Sequence, residues 1–171
     1  MADSAEPRLK HEPPASKVRI RRGTPADAPV LAQLRYAFRA ELDPPVEDEL
    51  GFIERCTVWM GERLAPGGSW CCWVALLNEA IVGTIWLQQV EKLPNPAGHL
   101  GFHGYVSSVY VRPELRNAGL GSALLSACLA HADACGHDAV FLWPSPRSRT
   151  LYERHGFAVR DDLLERRPHH Y

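Results

Sequence analysis

The stretch Val109-Tyr-Val-Arg-Pro-Glu-Leu-Arg-Asn-Ala-Gly-Leu-Gly-Ser122 decides how this chain is read. A strand-like segment ends at Val111, a short loop carries Arg116, and Gly119 and Gly121 open the next element. From Gly119 to Cys135, Leu120, Ala123, Leu124, Ala127 and Cys128 recur at helical spacing, and Gly136 closes the helix. Glycine lets a ligand approach the backbone closely. The first amides of a helix lack internal partners, and the helix dipole favours an anion at the same end. Together these features predict a cradle for phosphate or pyrophosphate, with Arg116 as a supporting cation. A Walker-type loop needs a lysine that is absent here. A dinucleotide fingerprint needs Gly or Ala where Leu124 stands, and an acid where Ala139-Val-Phe-Leu-Trp143 runs into Pro144. Neither fits.

Downstream of the helix, the apolar run Ala139 to Trp143 predicts a central strand buried on both faces. A short helix from about Ser148 to Arg154 ends at His155-Gly156, and Phe157-Ala-Val159 predicts a last strand. Upstream, Val18 and Ile20 alternate with basic residues as on a half-buried strand. Thr24-Pro25-Ala26-Asp27 signals a helix start, with Leu31, Leu34 and Phe38 on its inner face as far as about Leu42. Pro29 is expected to distort that first turn. Glu47-Asp48-Glu49 opens a second helix lined by Phe52, Ile53, Cys56, Met60 and Leu64. Trp70 to Leu77 and Ala80 to Val90 read as a hairpin turning at Asn78-Glu79, Leu93 to Gly98 as a loop, and Gly101 to Val111 as a third strand of this set. The order βααβββαβαβ predicts one α/β domain over residues 17–165, with a mixed, mostly antiparallel sheet flanked by helices. Residues 1–16 read as a disordered leader and 166–171 as a tail.

The 171 residues suffice for one domain, and 46% hydrophobic with 23% charged residues excludes wholesale disorder. Nineteen basic against twenty acidic side chains leave a net charge of −1 with no basic run, so no nucleic-acid partner is expected. Apolar stretches are strand-sized and the N-terminus is no signal peptide, so no membrane partner is expected. Five cysteines form no disulfide pattern, which points to reduced thiols and a cytoplasmic location. Cys128, His131 and Cys135 share a helix face, but no fourth ligand stands at a zinc-like spacing, and no metal is expected. Trp59 and Trp73 read as core residues, with a role at an interface as the alternative.

The arginine-x-x-glycine-x-glycine of Arg116 to Gly121, entered from Val109-Tyr-Val111, resembles motif A of the GCN5-related N-acetyltransferase (GNAT) superfamily. Leu151-Tyr-Glu-Arg-His-Gly-Phe157 resembles its second signature, at the right separation, and Val18 to Asp27 resembles a common opening. The resemblance spans about Val18 to Leu163. It implies the acyl-CoA N-acyltransferase fold, acetyl-CoA as co-substrate and an amine acceptor. The backbone of Arg116, Asn117, Ala118, Gly119, Leu120, Gly121 and Ser122 would then hold the pyrophosphate. Val109, Tyr110 and Val111 would pair with the pantetheine arm as an added strand. Ser145 and Arg149 fall where a subgroup carries serine and arginine near the cofactor. A homodimer is a family expectation.

For the chemistry, the resemblance assigns Tyr152 to protonating the departing thiolate and the amide of Val109 to the oxyanion. The family's strand glutamate is replaced by Ser107 and Ser108, which leaves the base open between His103, Glu41 and a relay of waters. Glu41 sits near a helix C-terminus, where the dipole disfavours an acid. With Asp43, Glu47, Asp48 and Glu49 it suggests an acidic entrance for a small cationic amine. Alternatives are a non-catalytic CoA-binding sensor or regulatory module, and a protein N-terminal or lysine acetyltransferase.

Overall fold

A five-stranded sheet is the middle layer of the computed structural model, which describes residues 18–96 and 101–167. The strands β1 (Val18–Arg22), β2 (Trp70–Leu77), β3 (Ala80–Glu91), β4 (Phe102–Val111) and β5 (Ala139–Phe141) lie side by side in chain order. The first four are antiparallel, and β5 runs parallel to β4. Asn78 and Glu79, at φ of 49° and 65°, form the tight two-residue turn whose twist suits a hairpin.

Alternation along β2 sends Cys71, Trp73 and Ala75 to one face and Cys72, Val74 and Leu76 to the other. Helix α3 (Leu120–Ala134) covers the first face with Leu124, Leu125, Cys128 and Ala132. Helices α1 (Ala28–Ala40) and α2 (Glu49–Arg63) cover the second with Leu31, Leu34, Cys56 and Met60. Each fully buried leucine of these faces is of the kind whose truncation to alanine costs about 2–5 kcal/mol. Burial pushes the Cys72 and Cys128 thiols up to about 12, so both are inert packing groups.

Several expectations are corrected. Pro29 does not distort α1: residues Pro25–Asp27 make a 3-10 turn, α1 starts at Ala28, and Pro29 falls in its first turn, where an N–H has no helical acceptor. The run 139–143 is not a central strand. β5 is only three residues long, lies at the sheet edge and is half-exposed, because prolines 144 and 146 end the chain's capacity to donate to a ladder. No strand forms at 157–159 among the described residues. Phe157 instead turns its amide to the Tyr152 carbonyl (3.1 Å) and packs its ring on Tyr152, leaving Val159 exposed. The expected leader 1–16, and parts of the loop after Leu93 and of the tail, lie outside the described residues.

The turn into α1 is held by charge. Asp27 accepts both Arg21 guanidinium nitrogens at 2.8 Å, and the Thr24 amide and hydroxyl at 2.8 and 2.9 Å. The Arg21 hydrogen bonds lead in holding this carboxyl down at about 2, against an opposing push from burial. A depressed carboxyl contributes stability that is complete above its unfolded value and lost as pH falls through its folded one. Asp27→Asn is therefore expected to lower unfolding stability by about 2 kcal/mol at pH 7. In urea titrations at several pH values, the gap to the parent should close between pH 4 and pH 2. A gap that ignores pH would assign the loss to packing alone.

Candidate active site

Pairing between β4 and β5 stops at Tyr105 opposite Phe141. Beyond it β4 continues to Val111, while the other chain leaves through Leu142, Trp143 and Pro144. A cavity of about 710 Å³ fills the gap. Ser107, Ser108 and Val109 form one wall, Trp143, Ser145 and Tyr152 the other, and side chains of α1 and α2 close it above. The β4 wall is bent. Tyr110 opposes Thr84 while Ser107 opposes Trp86, so β4 carries one extra residue, and Ser108 sits at φ 51°. Such a bulge re-aims the strand and frees backbone groups beside it.

At the far end of β4 lies the glycine loop. Asn117 and Gly119 adopt left-handed φ of 63° and 82°, and the first helical bond is Ala123 N to Gly119 O at 3.0 Å. The amides of Gly119, Leu120, Gly121 and Ser122 therefore have no intrahelical acceptor. A Cβ on Gly121 would touch only a Leu151 methyl at 3.6 Å. The protein thus has room for a side chain there and leaves the space above those amides open. Ala118 is exposed, while Leu120 is buried in the core and offers only its backbone. The Ser122 hydroxyl lies 3.0 Å from His155 Nε2. His155 Nδ1 donates to the Leu151 carbonyl at 2.9 Å, which fixes the ring beside Ser122.

Other candidates take different places. Arg116 is no free cation over the loop: its Nε donates to the Val111 carbonyl (2.9 Å) and its Nη2 to both Glu41 oxygens (2.8 Å). Glu41 also accepts the Tyr110 hydroxyl at 3.0 Å, so Tyr110 can offer a ligand only its backbone. Burial pushes the Glu41 carboxyl up, but the Arg116 and Tyr110 hydrogen bonds outweigh it and hold the group below its ordinary value. This pairing offsets the unfavourable dipole at the end of α1 and engages both Glu41 oxygens. His103 is on β4 but outside the cavity lining, at the end where β4 still pairs with β5. Arg149, on α4 (Arg149–Glu153), donates to Glu153 at 2.9 Å and lies outside the lining. Ser145 lines it, its hydroxyl 2.8 Å from that of Ser148. Tyr152 is buried in the same wall, and burial raises its phenol, so it stays protonated at neutral pH. Cys128 is buried away from His131, which contacts Cys71 and Cys135 at 3.7 and 3.5 Å.

Three acids of the expected entrance are engaged within the protein. Asp43 pairs with Arg39, Glu47 with Arg55, and Asp48 caps α2 by accepting the Gly51 amide. Among the described residues the lining contains no carboxylate; it contains Arg35, Arg39, Arg55 and Arg147. Sequence reasoning passed over these arginines and the tryptophan wall of Trp59, Trp70 and Trp86. A signal was present: Arg35 follows Leu31 by four residues, and Arg55 follows Phe52 by three, so both sit in apolar helix stripes.

Glu41→Gln is expected to cost about 1–2 kcal/mol of stability, the scale of a charged hydrogen bond in a part-exposed setting. The neutral-to-alkaline limb of the kcat/KM pH profile should not move. A limb that moves in the variant would return Glu41 to the role of base.

Comparison with known proteins agrees with this architecture. The sequence model described as "Acetyltransferase (GNAT) family" matches residues 31–157. A predicted acetyltransferase from Clostridium acetobutylicum, solved with acetyl-CoA, superimposes with a TM-score of 0.73 at 21% identity, over 90% of this chain and 100% of that one. A GCN5-related N-acetyltransferase from Ralstonia eutropha gives 0.70 at 25% identity, over 88% and 98%. Glucosamine-6-phosphate N-acetyltransferase from Arabidopsis thaliana gives 0.64 at 17% identity, over 88% and 98%. No curated relative matches. With the family model spanning most of the chain and the strand, loop and helix where its fold requires them, the chain belongs to the GNAT family of acetyltransferases and is an acyltransferase.

Proposed function

We propose that the protein moves the acetyl group of acetyl-CoA directly to a primary amine of a small molecule, both substrates being bound together. The observation that supports this reading is the succession of three features along the chain. Unpartnered amides at the start of α3 suit a pyrophosphate, an unpaired β4 edge suits an extended amide-bearing arm, and the slot ends beside Tyr152. The amides of Gly119 to Ser122 hold the phosphates, with Gly121 leaving room for them. The backbone of Val109 and Val111 pairs with the arm, and Ser145 lines its path.

The thioester supplies an acyl group already activated toward attack. The amine nitrogen bonds to its carbonyl carbon, the carbon–sulfur bond breaks, and the electron pair leaves on sulfur. The Val109 amide, re-aimed by the bulge at Ser108, donates to the oxygen as charge builds on it. Tyr152 gives its proton to the sulfur, and the proton that the nitrogen sheds after attack passes through solvent to restore the phenol. Among the described residues no Asp, Glu or His lines the cavity, and in this reading the amine loses its first proton to water. The surrounding guanidiniums assist, because positive charge nearby disfavours an ammonium ion. The five cysteines are free thiols, in keeping with a reducing, cytoplasmic setting. No described helix is long and apolar enough to cross a membrane. A homodimer is part of this reading, supported by the unpaired edge of β5 and the exposed Val159, Leu163 and Leu164.

Two variants test the reading. Gly121→Val should weaken acetyl-CoA binding at least tenfold in calorimetry while the thermal midpoint barely changes, since the protein itself accepts a Cβ there. The same change at Gly119 would add backbone strain at φ 82° and is the poorer test. Tyr152→Phe should lower kcat about ten- to a thousandfold with acetyl-CoA affinity retained. Unchanged affinity in the first variant, or kcat within a factor of two in the second, would remove that residue from its role.

A further inference from the structure

We propose that the acceptor amine carries its own anion, a carboxylate or a phosphate a few bonds from the nitrogen, on an apolar and preferably aromatic body, and that Arg35 receives the anion. The inference rests on the acetyltransferase reading of the cavity and names the substrate class.

The four cavity arginines are not equivalent. Arg39 and Arg55 are neutralised by Asp43 and Glu47, at 3.2 and 2.6 Å, and Arg147 lies 3.8 Å from Glu41. Arg35 has no carboxylate partner among the described residues. Among the described residues its Nη1 donates to the Ser108 hydroxyl at a long 3.4 Å, its guanidinium lies 5.8 Å from the Phe38 ring, and the neutral Cys56 and Tyr105 are nearby. Burial, seconded by the charge of Arg39, pushes its guanidinium below the ordinary value. A half-buried cation without a counterion is a standing cost in the free protein. A bidentate anion on its planar fork would remove that cost.

A second group is also left without a partner. Trp86 is 2% exposed, lines the cavity, and its indole N–H finds no acceptor among the described residues. Trp86 stands with Trp59 and Trp70 in one aromatic wall, ring centres 5.4 to 6.2 Å apart, a surface that suits a flat apolar body. Ser108, the contact of Arg35, adjoins Val109, where acetyl transfer is assigned, and this fixes the spacing: the anion lies close to the amine. A purely cationic amine would meet guanidiniums and no acid.

The probes are phenylalanine, its primary amide, phenethylamine and the phosphonate analogue of phenylalanine. Binding is read by tryptophan fluorescence in the presence of CoA, and turnover by release of free thiol from acetyl-CoA. Phenylalanine or its phosphonate should bind at least tenfold more tightly than the amide and the decarboxylated amine, and which of the two wins distinguishes a carboxylate from a phosphate acceptor. Arg35→Gln should erase this preference through KM more than kcat, and Arg35→Lys should keep part of it. The thermal midpoint of Arg35→Gln should equal or exceed that of the parent. Binding of acetyl-CoA by calorimetry is measured alongside. If it fails while Arg35-dependent anion binding persists, the acetyl-transfer reading falls and the anion site stands. The proposal is overturned by equal affinities, by preference for phenethylamine, by no binding of any probe, by a turnover loss equal for all amines, or by a midpoint several degrees lower in Arg35→Gln.

Discussion

The parting of β4 from β5 beyond Tyr105 and Phe141 is the constraint on which the rest of the structure depends. A paired strand exposes no backbone to a ligand, whereas an unpaired one offers a row of donors and acceptors. β4 keeps its antiparallel neighbour β3 on one side and so stays rigid while its other edge is open. The extra residue at Ser108 bends that edge and turns Val109 toward the core face covered by α3. From there the chain passes directly into the glycine loop, so the open edge is followed in sequence by the amides that open α3.

Charge is arranged around this groove with economy. The acids that crowd the segment between α1 and α2 are each engaged: Glu41 with Arg116 and Tyr110, Asp43 with Arg39, Glu47 with Arg55, Asp48 with the amide of Gly51. Glu41 and Arg116 together tie the end of α1 to the carbonyl of Val111, which fixes the glycine loop against the helix above it. What remains for the cavity is positive and aromatic, with Arg35 as the cation least answered by the protein. Such an imbalance costs stability, and proteins tolerate it where a ligand restores the balance.

Much of this was legible along the chain, and for a common reason. The glycine loop, its helix, the hairpin at Asn78-Glu79 and the opposite facing of Cys71 and Cys72 are local matters, governed by φ, helix-end amides and strand alternation. The two motifs that resemble the GNAT family are local as well, and they implied the fold that the molecule has. Errors arose where local reading met a tertiary choice. The run 139–143 is apolar enough for a central strand, yet it lies at the edge because no later strand pairs beyond it. Pro29 looked disruptive only while α1 was taken to begin before it.

The sequence by itself determined the order of elements as far as α4, the glycine loop that opens α3 and the buried faces of the helices, because these follow from neighbours within a turn or a strand. Only the tertiary structure decided what the charges do. Glu41 and Arg116 are 75 residues apart, and Arg35 and Ser108 are separated by 73. No periodicity reports such partners. Whether an acid lines an entrance or neutralises an arginine depends on which side chains the sheet brings within about 3 Å, since charged hydrogen bonds act only at that range.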